Sequence, residues 1–153
     1  MCKSSEKRVG KGEIGEMFGP HLMLDLYGCD RKKLEDINFI YKFLDELPST
    51  IGMTKIMPPY TFSYTGTKPE DWGISGIVLI AESHVSIHTF PEKEYASVDV
   101  FSCKEFDTDA TAALIAQAFG AKKVEKNFLM RGREFPKDIT RAAQIVARQR
   151  KRI

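Results

Sequence analysis

Two histidines, His84 and His88, fall within the segment Ala81-Glu82-Ser83-His84-Val85-Ser86-Ile87-His88-Thr89-Phe90-Pro91-Glu92. Imidazole is the side chain that most readily moves protons near neutral pH, so two of them beside serines and glutamates form a candidate site. Residue types alone leave several kinds of chemistry open. On a helix the two histidines would be four apart and could share a zinc ion, yet the local alternation is that of a strand, with neither an H-E-x-x-H pattern nor a third histidine nearby. On a strand His84, Ser86 and His88 share a face and could still chelate with Cys103. Alternatively, Cys103 could be a nucleophile with His88 as its base, which would make a thiol hydrolase. The plainest reading is that both histidines are held by hydrogen bonds inside a sheet.

The elements that must position these residues are legible from periodicity. Residues 21–28 alternate, with Leu22, Leu24 and Leu26 on one side, which predicts a half-buried strand. Leu34, Ile37, Tyr41 and Leu44 recur at helical steps and predict a helix over 31–47, with Asp30 as N-cap and Pro48 as its stop. Short extended segments are expected near 54–56 and 61–64, before a turn-rich stretch at 65–73. Strands are predicted over 76–82, 85–90 and 97–101, where β-branched residues dominate. A helix over 108–119, capped by Asp107 or Asp109 and ended by Gly120, is followed by a strand over 123–130 and a final amphipathic helix from Pro136. Several strand connections are too short for a helical crossover, so the sheet should be largely antiparallel. The expected class is therefore α+β, a two-layer α/β sandwich with helices packed on one face.

The chain has 153 residues, 42% hydrophobic and 29% charged, enough for one core and one domain over 1–153. Residues 1–19 are polar and read as a flexible arm. The apolar run Ile77–Ala81 is far too short to span a bilayer, so no membrane segment is expected. The net charge is +2, and subtracting the five cations of residues 139–153, which carry no acid, leaves −3 for the rest. The basicity is a tail, read as a solvated helix end and not a nucleic-acid surface. Cys2, Cys29 and Cys103 form no C-x-x-C pair and the N-terminus lacks the apolar stretch of a secretory signal, which points to a reducing cytoplasm.

The string from Glu82 to Glu92, followed by Asp99-Val100-Phe101-Ser102-Cys103, closely resembles the short bacterial and archaeal S-adenosylmethionine decarboxylase proenzymes. The likeness extends back to Gly73-Ile74-Ser75-Gly76 and to His21-Leu22, Asp25-Leu26-Tyr27-Gly28-Cys29-Asp30, covering most of residues 20–120. It implies self-cleavage between Glu82 and Ser83 into a β chain, 1–82, and an α chain, 83–153, with Ser83 becoming a covalent pyruvoyl group. Ser83 Oγ would attack the Glu82 carbonyl, and β-elimination of the resulting ester would need a base near the Ser83 Cα. His88 is similar in position to the family's processing histidine. Ser75 matches a serine that polarises the ester, and Cys103 matches the cysteine that returns a proton after decarboxylation. The pyruvoyl ketone, as a Schiff base with the substrate amine, would then serve as electron sink.

For substrate the resemblance implies S-adenosylmethionine, decarboxylated to the aminopropyl donor for spermidine. Glu92 is similar in placement to the glutamate that binds the ribose hydroxyls, and Phe90 stands where relatives carry an adenine-stacking tryptophan. The second stacking aromatic falls in a stretch longer than the commoner pattern, leaving Phe62, Tyr64 and Trp72 as candidates. Glu70 and Asp71 in that stretch keep open the same chemistry on ornithine or arginine, whose distal cations want acidic partners. An unprocessed, non-catalytic homologue is the remaining alternative. Relatives are dimers of processed αβ protomers with the active sites between them, so a homodimer is implied, with no metal, nucleic acid or membrane as partner.

Overall fold

The computed structural model describes residues 17–133 together with 144, 147, 148, 150 and 151. The expected N-terminal arm and the final helix from Pro136 lie largely outside the described residues. Strand β1 (Gly19–Tyr27) is followed by helices α1 (Arg31–Leu34) and α2 (Ile37–Thr50), then β2 (Tyr60–Thr65), β3 (Trp72–Ile80), β4 (Ser83–Phe90), β5 (Tyr95–Ser102), helix α3 (Thr108–Phe119) and β6 (Lys123–Arg131). The six strands form one sheet in the order β2-β3-β4-β5-β1-β6, every neighbouring pair antiparallel. Short hairpins make β3-β4 and β4-β5, so the segment that carries the chemistry lies mid-sheet.

Alternation decides which face of the sheet is buried. Leu22, Leu24, Leu26, Val78, Val85, Ile87, Val98 and Val100 pack with Ile40, Leu44, Ile115 and Phe119 of α2 and α3 into one core. The intervening residues, His21, Ser75, Ile77, Leu79, His84, His88, Asp99 and Phe101 among them, share the opposite face, which no described helix covers. The expected two-layer α+β sandwich is the observed architecture.

Four expectations differ from the structure, the first being the strand predicted over 76–82, which is β3 at Trp72–Ile80, so that Ala81 and Glu82 form a turn and the end of the stretch expected as turn-rich is strand. The helix predicted over 31–47 is two helices, because the Asp36 carboxylate accepts from the backbone N–H groups of Asn38 and Phe39 and starts a second one. Pro48 does not stop α2; it lies in the last turn, and the helix runs on to Thr50. The segment near 54–56 makes only an isolated bridge, Lys55 to Ile80. Asp107, rather than Asp109, caps α3, and Gly120 closes it in the left-handed conformation.

One buried hydroxyl ties the sheet to α1. Thr89 is 2% exposed; its Oγ1 donates to the Leu34 carbonyl at 2.8 Å and accepts from the Ile74 N–H at 2.9 Å. Beside it β3 and β4 approach so closely that a Cβ on Gly73 would sit 1.8 Å from the Thr89 carbonyl oxygen. Thr89→Val keeps the shape but orphans a buried donor and a buried acceptor. It should lower stability by about 1–3 kcal/mol, read by urea denaturation with an unchanged m-value.

Candidate functional site

Glu82 is the second residue of the turn between β3 and β4, and three contacts pin that turn. The Ala81 N–H donates to the Thr54 carbonyl at 2.8 Å, and the Glu82 carboxylate accepts from the Thr54 N–H at 3.1 Å. The Glu82 carbonyl oxygen accepts from the Cys103 backbone N–H at 2.8 Å. This last bond follows from the β4-β5 register, in which Ser83 lies opposite Ser102, the last residue of β5. Glu82 and Cys103, well separated in sequence, are thus adjacent in space. The Ser83 Oγ lies 3.3 Å from His84 Nδ1.

His84 is half-buried among groups from four strands. Its ring meets that of Phe101 at 5.7 Å, edge to face, and it pairs across the sheet with Leu79 of β3. Burial is the main cause that pushes the His84 pKa below its ordinary value; His21 and Arg131 act in the same direction, and Asp99 opposes them. Arg131 lies over the Phe101 ring at 4.1 Å, and His21 Nε2 is 3.6 Å from an Asp99 carboxylate oxygen. These groups favour a neutral imidazole.

The other expected residues gather further along β4. Ser75 Oγ and His88 Nδ1 are 2.8 Å apart across the β3-β4 ladder, where the two residues are register partners. Phe62 lies opposite Ser75, and Tyr64 opposite Gly73, on β2. Glu92, in the 3-10 turn Pro91–Lys93, is gripped at Oε1 by Arg31 Nη2 at 2.6 Å and by the Trp72 indole N–H at 3.2 Å. Phe90 packs against Tyr95 with ring centroids 5.7 Å apart. Asp71 is paired with Lys93 at 2.6 Å, which holds its carboxyl below the usual range.

Ser75 and His88, with Phe62 opposite Ser75, therefore gather away from Glu82, Ser83 and Cys103, while Glu92 and Trp72 form a further contact group with Arg31. At about 3.3 Å per residue, His88 is ~16 Å along β4 from Ser83. The same arithmetic places His84 and His88 ~13 Å apart, so one ion cannot be held by both. Nor does His88 meet Cys103 as the base of a thiol nucleophile within this protomer. Among the described residues no group of three or more His, Cys, Asp or Glu side chains could hold a metal.

Sequence reading missed two sets of contacts. The Cys103 N–H is backbone, so no residue type advertises it; only the strand register reveals it. The grip of Arg31 and Trp72 on Glu92 joins residues 61 and 20 positions away, and no local pattern points to it. Cys29, also unresolved by sequence, is a buried thiol pushed up to about 11, by burial first and Glu94 second, which suits packing and not nucleophilic chemistry. Cys103 is disulfide-bonded in this structure.

The family profile of S-adenosylmethionine decarboxylase matches residues 20–132. The S-adenosylmethionine decarboxylase proenzyme of Geobacillus kaustophilus is 40% identical over 118 residues, covering 76% of this chain and 90% of that one. The proenzyme of Pyrococcus furiosus is 34% identical over 120 residues, covering 78% and 82% respectively. The crystal structure of adenosylmethionine decarboxylase from Aquifex aeolicus superposes with a TM-score of 0.66 at 30% identity, covering 80% of this chain and 96% of that one. The sheet topology, the turn at Glu82 and Ser83 and these likenesses agree: the chain belongs to the S-adenosylmethionine decarboxylase family.

Proposed function

We propose that this protein cleaves its own Glu82–Ser83 bond, converts Ser83 to a pyruvoyl group, and with it decarboxylates S-adenosylmethionine. The observation that carries the reading is the 2.8 Å hydrogen bond from the Cys103 N–H to the Glu82 carbonyl oxygen. Addition of Ser83 Oγ to the Glu82 carbonyl carbon places negative charge on that oxygen, where a fixed backbone donor already points. The Glu82–Ser83 C–N bond then breaks and an ester remains. Loss of the Ser83 Cα proton to a base expels the Glu82 carboxylate, and hydrolysis of the dehydroalanine releases ammonia and leaves residues 1–82 and 83–153 as separate chains. Ser83 suits the group because it opens a strand, beside the turn that Thr54 and Cys103 pin.

The ketone so formed would supply the electron sink for loss of carbon dioxide from a bound amine. Cys103, next to Ser102 and therefore beside Ser83, is the proton donor to the product carbon in its reduced form, the state that a cytoplasmic glutathione pool maintains. Glu92 accepts the ribose hydroxyls. Arg31 and Trp72 both donate to its Oε1. Phe90 and one of Phe62, Tyr64 and Trp72 flank the adenine. Asp71, already neutralised by Lys93, is poorly suited to a second cation, which counts against ornithine and arginine.

The functional unit in this reading is a homodimer of αβ protomers. Elimination needs a base at the Ser83 Cα, yet His88 and Ser75 of the same chain lie ~16 Å away along β4. Ser75 and His88 lie on the uncovered sheet face, which also exposes Tyr60, Phe62, Tyr64, Ile77, Leu79 and Leu129. A two-fold that packs this face on its copy would bring His88 of one protomer to Ser83 of the other and cover that apolar surface.

Three tests follow. Intact-mass spectrometry of purified protein should show two chains split at Glu82–Ser83, the second blocked at its N-terminus, and Ser83→Ala should stay whole; an uncut wild-type chain overturns the reading. In decarboxylation assays under reducing conditions, S-adenosylmethionine should be consumed in preference to ornithine and arginine, and Cys103→Ala should lose most turnover. Ser83→Ala and His88→Ala, each uncut alone, should complement when co-expressed, with cleavage of up to roughly half of the His88→Ala chains, the share paired in heterodimers. No cleavage in the mixture would place the base within one protomer.

A further inference from the structure

The residue that moves the proton in the first processing step is not among those assigned above. We infer that His84 is the general base of the acyl shift: its Nδ1 takes the proton from Ser83 Oγ as that oxygen bonds to the Glu82 carbonyl carbon, then delivers it to the Ser83 nitrogen as the C–N bond breaks. This rests on the reading of Glu82–Ser83 as the cleaved bond. The balance is complete, since one C–O bond forms, one C–N bond breaks and one proton passes from oxygen to nitrogen through the imidazole.

The geometry supports His84 over His88 for this step. Its Nδ1 is 3.3 Å from the Ser83 Oγ, and such contacts shorten when the reacting complex forms. His88, the other histidine of the segment, is hydrogen-bonded to Ser75 ~16 Å away. The role requires the tautomer with the proton on Nε2, so that Nδ1 carries the lone pair. It also requires a neutral ring. The groups that bear on His84 are His21 from β1, Asp99 and the apolar Phe101 from β5, Leu79 from β3 and Arg131 from β6. Burial first, with His21 and Arg131 acting the same way, outweighs the Asp99 carboxylate and keeps the ring deprotonated to a lower pH than a free histidine. Acyl shift and elimination thus use different imidazoles, His84 beside the hydroxyl and His88 for the Cα proton.

The test separates the two steps by trapping the ester. Precursors made by cell-free translation are followed by mass with and without hydroxylamine, which cleaves an ester at Ser83 but not an amide. His88→Ala should accumulate a hydroxylamine-labile ester. His84→Gln and His84→Asn, each checked for a wild-type thermal melt, should slow ester formation by about a hundredfold or more in the same background. In His88→Ala alone, ester formation should be flat at neutral and alkaline pH and fall only below the depressed His84 pKa. Added imidazole should partly restore His84→Ala. Wild-type precursor that stays uncut overturns the cleavage reading itself. Cleavage by wild type with unimpaired ester formation in the His84 variants overturns only the role of His84, as does an absent acid limb in the His88→Ala profile.

Discussion

The register of one hairpin governs the site. With Ser83 opposite Ser102, the Cys103 N–H falls on the Glu82 carbonyl. A slip of one residue would turn every side chain of β4 to the other face, removing Val85 and Ile87 from the core and the histidines from the open surface. The core therefore enforces the chemistry: Val85 and Ile87, each fully buried, fix the register that aligns the backbone of the reactive turn.

The second constraint is the length of β4. An extended strand cannot bend His88 back to Ser83, and the interior of the sheet offers no bulge that would shorten the path; the β3-β4 and β4-β5 pairings run unbroken through it. A single layer of helices covers only one face of the sheet. The other face carries exposed aromatic residues on β2 and His88 on β4, and that exposure is a consequence of the one-sided packing.

Much of the fold was legible because alternation and capping are local signals. Leu22, Leu24 and Leu26 announced β1, and Asp107 with Gly120 bracketed α3. The broken first helix was not legible, because the apolar periodicity runs through residues 35 and 36 while the side chain of Asp36 captures two backbone donors. The candidate site residues are legible as types, whereas their separation along the sheet is not. Sequence proximity of Ser83 and His88 suggests contact, whereas a strand separates them by its full rise. His84 stood beside Ser83 in sequence throughout, but alternation on a strand sends neighbours to opposite faces, which argues against contact. The 3.3 Å approach of Ser83 Oγ to His84 Nδ1 is therefore visible only in the structure.

The cluster around Glu92 shows how the scaffold stores orientation. Arg31 opens α1, Trp72 opens β3 and Glu92 follows β4, so three elements converge on one carboxylate oxygen. Thr89 fastens the same three elements from below through Leu34, Ile74 and its own strand. Because that hydroxyl is buried while the Arg31–Glu92 pair is solvent-accessible, the anchoring free energy resides mainly in the former, and the ion pair serves chiefly to aim the carboxylate. Stability and the orientation of the Glu92 carboxylate are thereby carried by different contacts of one junction.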